Sequence, residues 1–301
     1  MNFLPVSILA YIFNGGSISI DKILLKKSLP NPIAYTFFVN ALQLLALILI
    51  PFGFHWKMDS STYLAMASGI IGIGAFYTFF MSLKINEASA VGPIVGLLNP
   101  VFALVIGGVF LNQILGQRQY LAFFVLILGA AVLTFNIWSK HVGLSRKFTW
   151  MALAGFLFGL SYVLLREAFV GSSFINGLII SRASAGIIVL SFLLFPKLRR
   201  EIFAADSQHS GITSKTTLIL IGTGQAMGGL SGFLTTYGIS LASPALVNSL
   251  FGVQYLTILG VAVFLAKKNP HLLDEELSQK VIMQKIIGAI IISLGLYLLA
   301  K

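Results

Sequence analysis

The chain has 301 residues, of which 57% are hydrophobic and 10% charged. That balance excludes a typical soluble domain, where about 25% of residues are charged and one core hides the apolar surface. The net charge of +11 lies between apolar stretches rather than in a basic domain, which argues against nucleic acid and for membrane orientation. There is no Cys, so disulfides, thiolate catalysis and Cys-based metal sites are excluded too.

Apolar runs of about 20 residues are the length that a bilayer demands of a helix. Within lipid each run must satisfy its own backbone hydrogen bonds, so these runs are expected to be helices. Their continuity rules out the alternating strands of a membrane barrel. Ten spans are read, at 3–24, 33–54, 62–83, 88–111, 119–138, 148–168, 174–195, 216–238, 244–265 and 282–300. The first has no basic leader and contains Asn14 and Asp21, so it reads as a retained helix. Connections are short except at 196–215 and 266–281, and no soluble domain is expected.

The stretch Phe76 to Leu111 returns 154 positions later as Leu230 to Leu265. Ile85, Ala88, Ser89, Leu104, Phe110 and Leu111 recur as Ile239, Ala242, Ser243, Ile258, Phe264 and Leu265. Gln119 to Gly129 likewise aligns with Lys285 to Gly295, and Asn40 with Arg182. The expected architecture is therefore an all-α integral membrane protein of ten transmembrane helices in two five-helix repeats, 1–139 and 140–301. Because five is odd, the second copy must enter the membrane from the opposite side, which makes the repeats inverted. Links after spans one, three, five, seven and nine hold 15 Lys and Arg, against four on the other side. The positive-inside rule then puts those links in the cytoplasm and both termini outside, in a multi-pass protein of the cell membrane. Gly155 and Gly159, and Gly224, Gly228 and Gly232, stand at the spacing that lets helices approach closely.

These features resemble the drug/metabolite transporter superfamily and its EamA-type members. The resemblance covers nearly the whole chain. It rests on the two five-span halves, the run Ala88-Ser89 … Leu98-Asn99-Pro100-Val101-Phe102 … Phe110-Leu111, and a Gly-rich fifth span with Gly129, echoed by Gly288 and Gly295. Arg182 is similar to an arginine common at that place in the family. Where the family often carries Glu after the fourth span of each half, this chain has Asn112 and Ala266. The family habit of cytoplasmic termini also runs against the charge count.

Enzymatic constellations are missing. The four His lie in links without metal-ligand spacing, and no acid pair faces another inside a span. No catalysis, cofactor or metal is expected. What remains are polar groups at depth: Asn14, Asn40, Tyr77, Asn99, Arg182, Gln225, Asn248, Gln254 and Tyr255. Each reads either as a hydrogen bond between helices, worth about 0.6 kcal/mol, or as one wall of a polar cavity between the repeats. A charge at the depth of Arg182 costs about 2.5–3.5 kcal/mol. It reads as a contact for an anionic group, or as a structural arginine that snorkels or caps carbonyls. Asp21 is the candidate proton site; with no acid at the midplane, facilitated diffusion or exchange is expected.

The expected function is a secondary transporter or exporter of a small organic metabolite or drug-like solute, working by alternating access. The alternatives are a flippase for a lipid-linked intermediate and a non-transporting membrane scaffold. Its partners are the small-molecule substrate and the bilayer, without nucleic acid, as a monomer or homodimer. Aromatics at Phe76, Tyr77, Phe80, Phe233, Tyr237 and Tyr255 are offered for stacking on the solute, against the plainer reading that they pack or face lipid.

Overall fold

The computed structural model describes residues 3–25, 31–85, 88–112, 114–134, 146–203, 215–266 and 279–300. Among them every regular element is helical. The helices are α1 (Phe3–Leu25), α2 (Pro32–Leu42), α3 (Ser60–Ile85), α4 (Ala88–Leu111), α5 (Gln117–Thr134) and α6 (Arg146–Gly171). They continue with α7 (Phe174–Ser191), α8 (Pro196–Phe203), α9 (Lys215–Leu241), α10 (Pro244–Ser249), α11 (Gly252–Ala266) and α12 (Gln279–Ala300). By length and composition, five stretches among the described residues are able to cross a membrane: 3–20, 32–52, 60–85, 148–171 and 174–194. Shorter apolar helices run from Ile94 to Phe110, Gln117 to Val132 and Met283 to Leu298.

Local chemistry sets the ends. Asn31 caps α2, its side chain accepting from the Ile33 N–H at 3.1 Å, and Pro32 fills the first turn, where a missing N–H costs nothing. Asp59 caps α3 by accepting from the Thr62 N–H at 3.0 Å, and that bond, with Lys57 beside it, holds its carboxyl below the usual carboxylate range. Ser173 caps α7 through the Asn176 N–H. The two-residue link at Ser172 and Ser173 and the short link after Leu241 leave α6–α7 and α9–α10 as antiparallel neighbours.

The structure departs from the sequence reading in three places. The second span is α-helical only to Leu42 and continues as a 3-10 helix from Gln43 to Phe52. The link at 196–215 contains α8, whose Ile202 is buried in a cluster with Phe37, Ile73, Ala185 and Val189 while Lys197, Arg199 and Arg200 are exposed. The ninth span is not one helix. It stops at Ser249 and restarts at Gly252, with i→i+3 bonds from Leu250 to Val247 and from Phe251 to Asn248 across the join. The fourth span, by contrast, runs unbroken through Pro100 as α4.

Outward-facing apolar side chains such as Ile48, Val109, Phe110 and Phe124 are more than 60% exposed, as helices bathed in lipid require. Inside, α1 packs on α9 and α11, α3 and α4 pack on α6, and α5 packs on α12. Small residues make these approaches possible. A Cβ at Gly155 would meet Leu98, one at Gly159 would meet Ala103 and Asn99, and one at Gly228 would meet Ser17. Gly232, by contrast, faces open space.

The α3–α6 contact is pinned by a reciprocal pair. Ser68 Oγ donates to the Ser161 carbonyl at 2.8 Å, and Ser161 Oγ donates to the Ser68 carbonyl at 2.9 Å. At about 0.6 kcal/mol per interhelical bond, Ser68→Ala with Ser161→Ala is expected to lower stability by about 1 kcal/mol. Unfolding in mixed micelles measures it; an unchanged midpoint would remove these bonds from the energetics.

Candidate functional site

Residues 3, 7, 11, 14 and 17 follow one another down a single face of α1, by the helical spacing of three and four. Each meets a partner from the second half of the chain. Phe3 helps line a cavity of about 610 Å³ with Ile114, Leu115, Leu241, Ser243 and Leu246. This cavity lies at the membrane edge where α1 begins. One turn deeper, Ser7 sits against Gly238, and its buried hydroxyl has no hydrogen-bond partner.

Below it, Tyr11 OH donates to Asn248 Oδ1 at 3.1 Å, and Asn248 Nδ2 donates to Asn99 Oδ1 at 3.3 Å. Asn14 Nδ2 donates to Gln254 Oε1. Deeper still, Ser17 Oγ donates to the Gly224 carbonyl at 2.9 Å. A polar line therefore descends α1 from the cavity to mid-membrane. Asn248 and Gln254 bracket the join between α10 and α11, and a helix interrupted at depth is where transporters build binding sites.

A second cluster lies alongside. Arg182 Nη1 donates to Gln43 Oε1 at 2.9 Å, and Nη2 donates to Thr236 Oγ1 at 3.0 Å. Gln43 in turn donates to Asn40 Oδ1 at 3.1 Å, and Asn40 donates to the Thr36 carbonyl at 2.8 Å. Arg182 neither snorkels nor caps a carbonyl in these contacts: both acceptors are side chains of other helices. Tyr162 on α6 stacks on Phe158, with ring centroids 6.3 Å apart.

Of the residues singled out from sequence, Asn14, Asn99, Asn248 and Gln254 fall on the α1 line, and Asn40 and Arg182 in the second cluster. Tyr255 follows Gln254, with its ring edge-on to Phe251; its buried hydroxyl lies without a partner beside Gly92. Tyr77 stands apart, its ring against Trp150 at 6.5 Å, and Gln225 is exposed on α9. The side chain of Asp21 lies outside the described ones. The aromatics offered for stacking mostly pack on one another: Phe76 on Phe158, Phe80 on Tyr35, and Phe233 and Tyr237 on Phe174.

Ser7, Tyr11 and Thr236 were missed. The one signal that marks them is spacing. Ser7, Tyr11, Asn14 and Ser17 share a face that alternates with the exposed Leu9 and Ile12.

One solved crystal structure matches 99% of this chain over 98% of its own length, with a TM-score of 0.65 and 14% identity, a likeness of fold alone. No curated protein matches the chain in sequence. Residues 4–135, which carry α1 to α5 and the first half of the polar line, match the EamA-like transporter family. On that match residues 4–135 are EamA-like, of the drug/metabolite transporter superfamily, and together with the apolar helices they mark a multi-pass membrane protein.

Proposed function

We propose that the chain is a secondary transporter of a small organic solute, working by alternating access between two inverted five-helix repeats, 1–139 and 140–301. The observation that carries this reading is the polar line on α1. It leads from a cavity at one membrane edge to a cluster of amides around an interrupted helix. A scaffold gains nothing from buried polar groups arranged as a path.

The packing supports the repeat. Exchanging the halves turns α3 on α6 into α9 on α1, and α4 on α6 into α11 on α1. The fifth span of each half meets its own counterpart reciprocally. Gly129 faces Ile292, and Gly295 faces Leu126, Gly129 being equivalent to Gly295 and Leu126 to Ile292 by the same 166-residue offset. Residue i meeting j while the equivalent of j meets the equivalent of i is what two-fold symmetry produces. The excess of Lys and Arg on the odd-numbered links supports termini outside the cell membrane. The solute and the bilayer are the expected partners, and a monomer suffices for this path.

The absence of Cys from the sequence makes the test direct. Single cysteines at Ser7, Tyr11, Asn14 and Ser17 are expected to react with a membrane-impermeant thiol reagent from at least one side. Those at Leu9 and Ile12, exposed toward lipid, should stay unreactive. Equal protection of all six would overturn the path.

A further inference from the structure

The α1 line is neutral; the cluster beside it is not. Arg182 lies eight residues into α7, roughly 12 Å along the helix. Both of its hydrogen-bond partners, Gln43 Oε1 and Thr236 Oγ1, are uncharged oxygens. Among the described residues no acid pairs with it; Asp59 pairs with Lys57 in a surface link instead. Neutral acceptors orient a guanidinium without neutralising it, and a charge in hydrocarbon normally finds a counter-charge or water. Two of its five N–H groups are committed, leaving donors for something else.

We infer that Arg182, held by Gln43 and Thr236, forms the binding site for a small organic monocarboxylate, the carboxylate seated on its remaining donors. This inference rests on the transport reading and names its substrate class. A guanidinium fork matches a carboxylate's two oxygens. A phosphate dianion would call for a second cation, and no other Lys or Arg contacts this cluster among the described residues. Gln43 and Thr236 are positioning residues: they fix the guanidinium from α2 and α9 so that its free edge is held in one place.

The experiment is a paired-ligand unfolding assay on the purified protein in chloride buffer at constant ionic strength. The probes are acetate, lactate, benzoate and phenylacetate, each beside its neutral amide, with inorganic phosphate as a further arm. At least one carboxylate is expected to raise the unfolding temperature saturably while its amide does not. Arg182→Gln should abolish that shift, and Arg182→Lys should weaken it roughly ten-fold, because a point charge cannot reproduce the fork. Thr236→Val keeps the charge and guards against misfolding of the arginine variants; it should weaken carboxylate binding without favouring the amide. A shift that survives Arg182→Gln, a panel with no carboxylate response, or a response to phosphate alone would overturn the inference. Counterflow of the same probes in proteoliposomes separates the two readings. Exchange of amides but not carboxylates sinks the charge argument and leaves transport standing, whereas exchange of no solute sinks transport itself.

Discussion

Gly15→Ala is expected to destabilise the protein by about 1–3 kcal/mol, the usual cost of forcing extra methyl groups into a packed interior. A Cβ at Gly15 would lie 2.7 Å from the Gln254 carbonyl oxygen and 2.7 Å from Thr257 Cβ. The first of these is helix backbone and cannot rotate aside, so α1 and α11 must separate. Separation also lengthens the Asn14–Gln254 contact one residue away and the Tyr11–Asn248 bond one turn above, so function should fall with stability. Gly159, whose Cβ would stand 3.0 Å from Asn99 O and Ala103 N, marks a similar approach of α6 to α4 and should tolerate alanine better. Gly229→Ala is the control. Nothing lies within 4 Å of its added methyl, and alanine is the better helix former by about 1 kcal/mol. Thermal unfolding of the three variants in one detergent decides the matter; Gly15→Ala matching Gly229→Ala would show that the helices are not in contact there.

That glycine contact illustrates what the sequence can and cannot disclose. Apolar runs near 20 residues define helices wherever lipid forbids anything else, so most span boundaries are legible to within a few residues. The amides are legible as well, because Asn and Gln are conspicuous in apolar helices. Their pairings are not. Tyr11 and Asn248 are 237 positions apart, and Asn14 and Gln254 240 apart, so only the crossing of the two halves brings them together. Ser7 and Tyr11 stay hidden for another reason: a hydroxyl or a ring inside a membrane helix has a packing explanation at every position. Pro100, which lacks an N–H, is not where a helix breaks. A helix absorbs one missing bond, and α4 does so. The true join falls where residues 244–254 are all buried and Gly252 is pressed by Ile292 and Ala130. Tertiary packing, not local propensity, decides it. Gly15 itself stood in the sequence as one glycine of 29.

Asn248→Leu is expected to cost transport in a way that regained stability does not repair. Asn248 is 2% exposed and ties three helices together, accepting from Tyr11 on α1 and donating to Asn99 on α4. Leucine keeps the same branched four-atom skeleton, so packing largely survives while the Tyr11 hydroxyl loses its acceptor and Asn99 Oδ1 its donor. Two interhelical bonds of about 0.6 kcal/mol, plus one buried hydroxyl left unpaired at about 1–3 kcal/mol, give a loss on the order of 2–4 kcal/mol. Adding Tyr11→Phe removes the stranded hydroxyl and is expected to return about 1 kcal/mol or more of that loss. The same second change cannot restore a polar wall, so uptake by the double variant should stay at least about 100-fold down, more than 2.7 kcal/mol on a barrier. Folding energy therefore recovers between the single and double variants while activity does not. A protein in which Asn248 only braced the helices would instead recover both together, and that recovery would take Asn248 out of the solute's path.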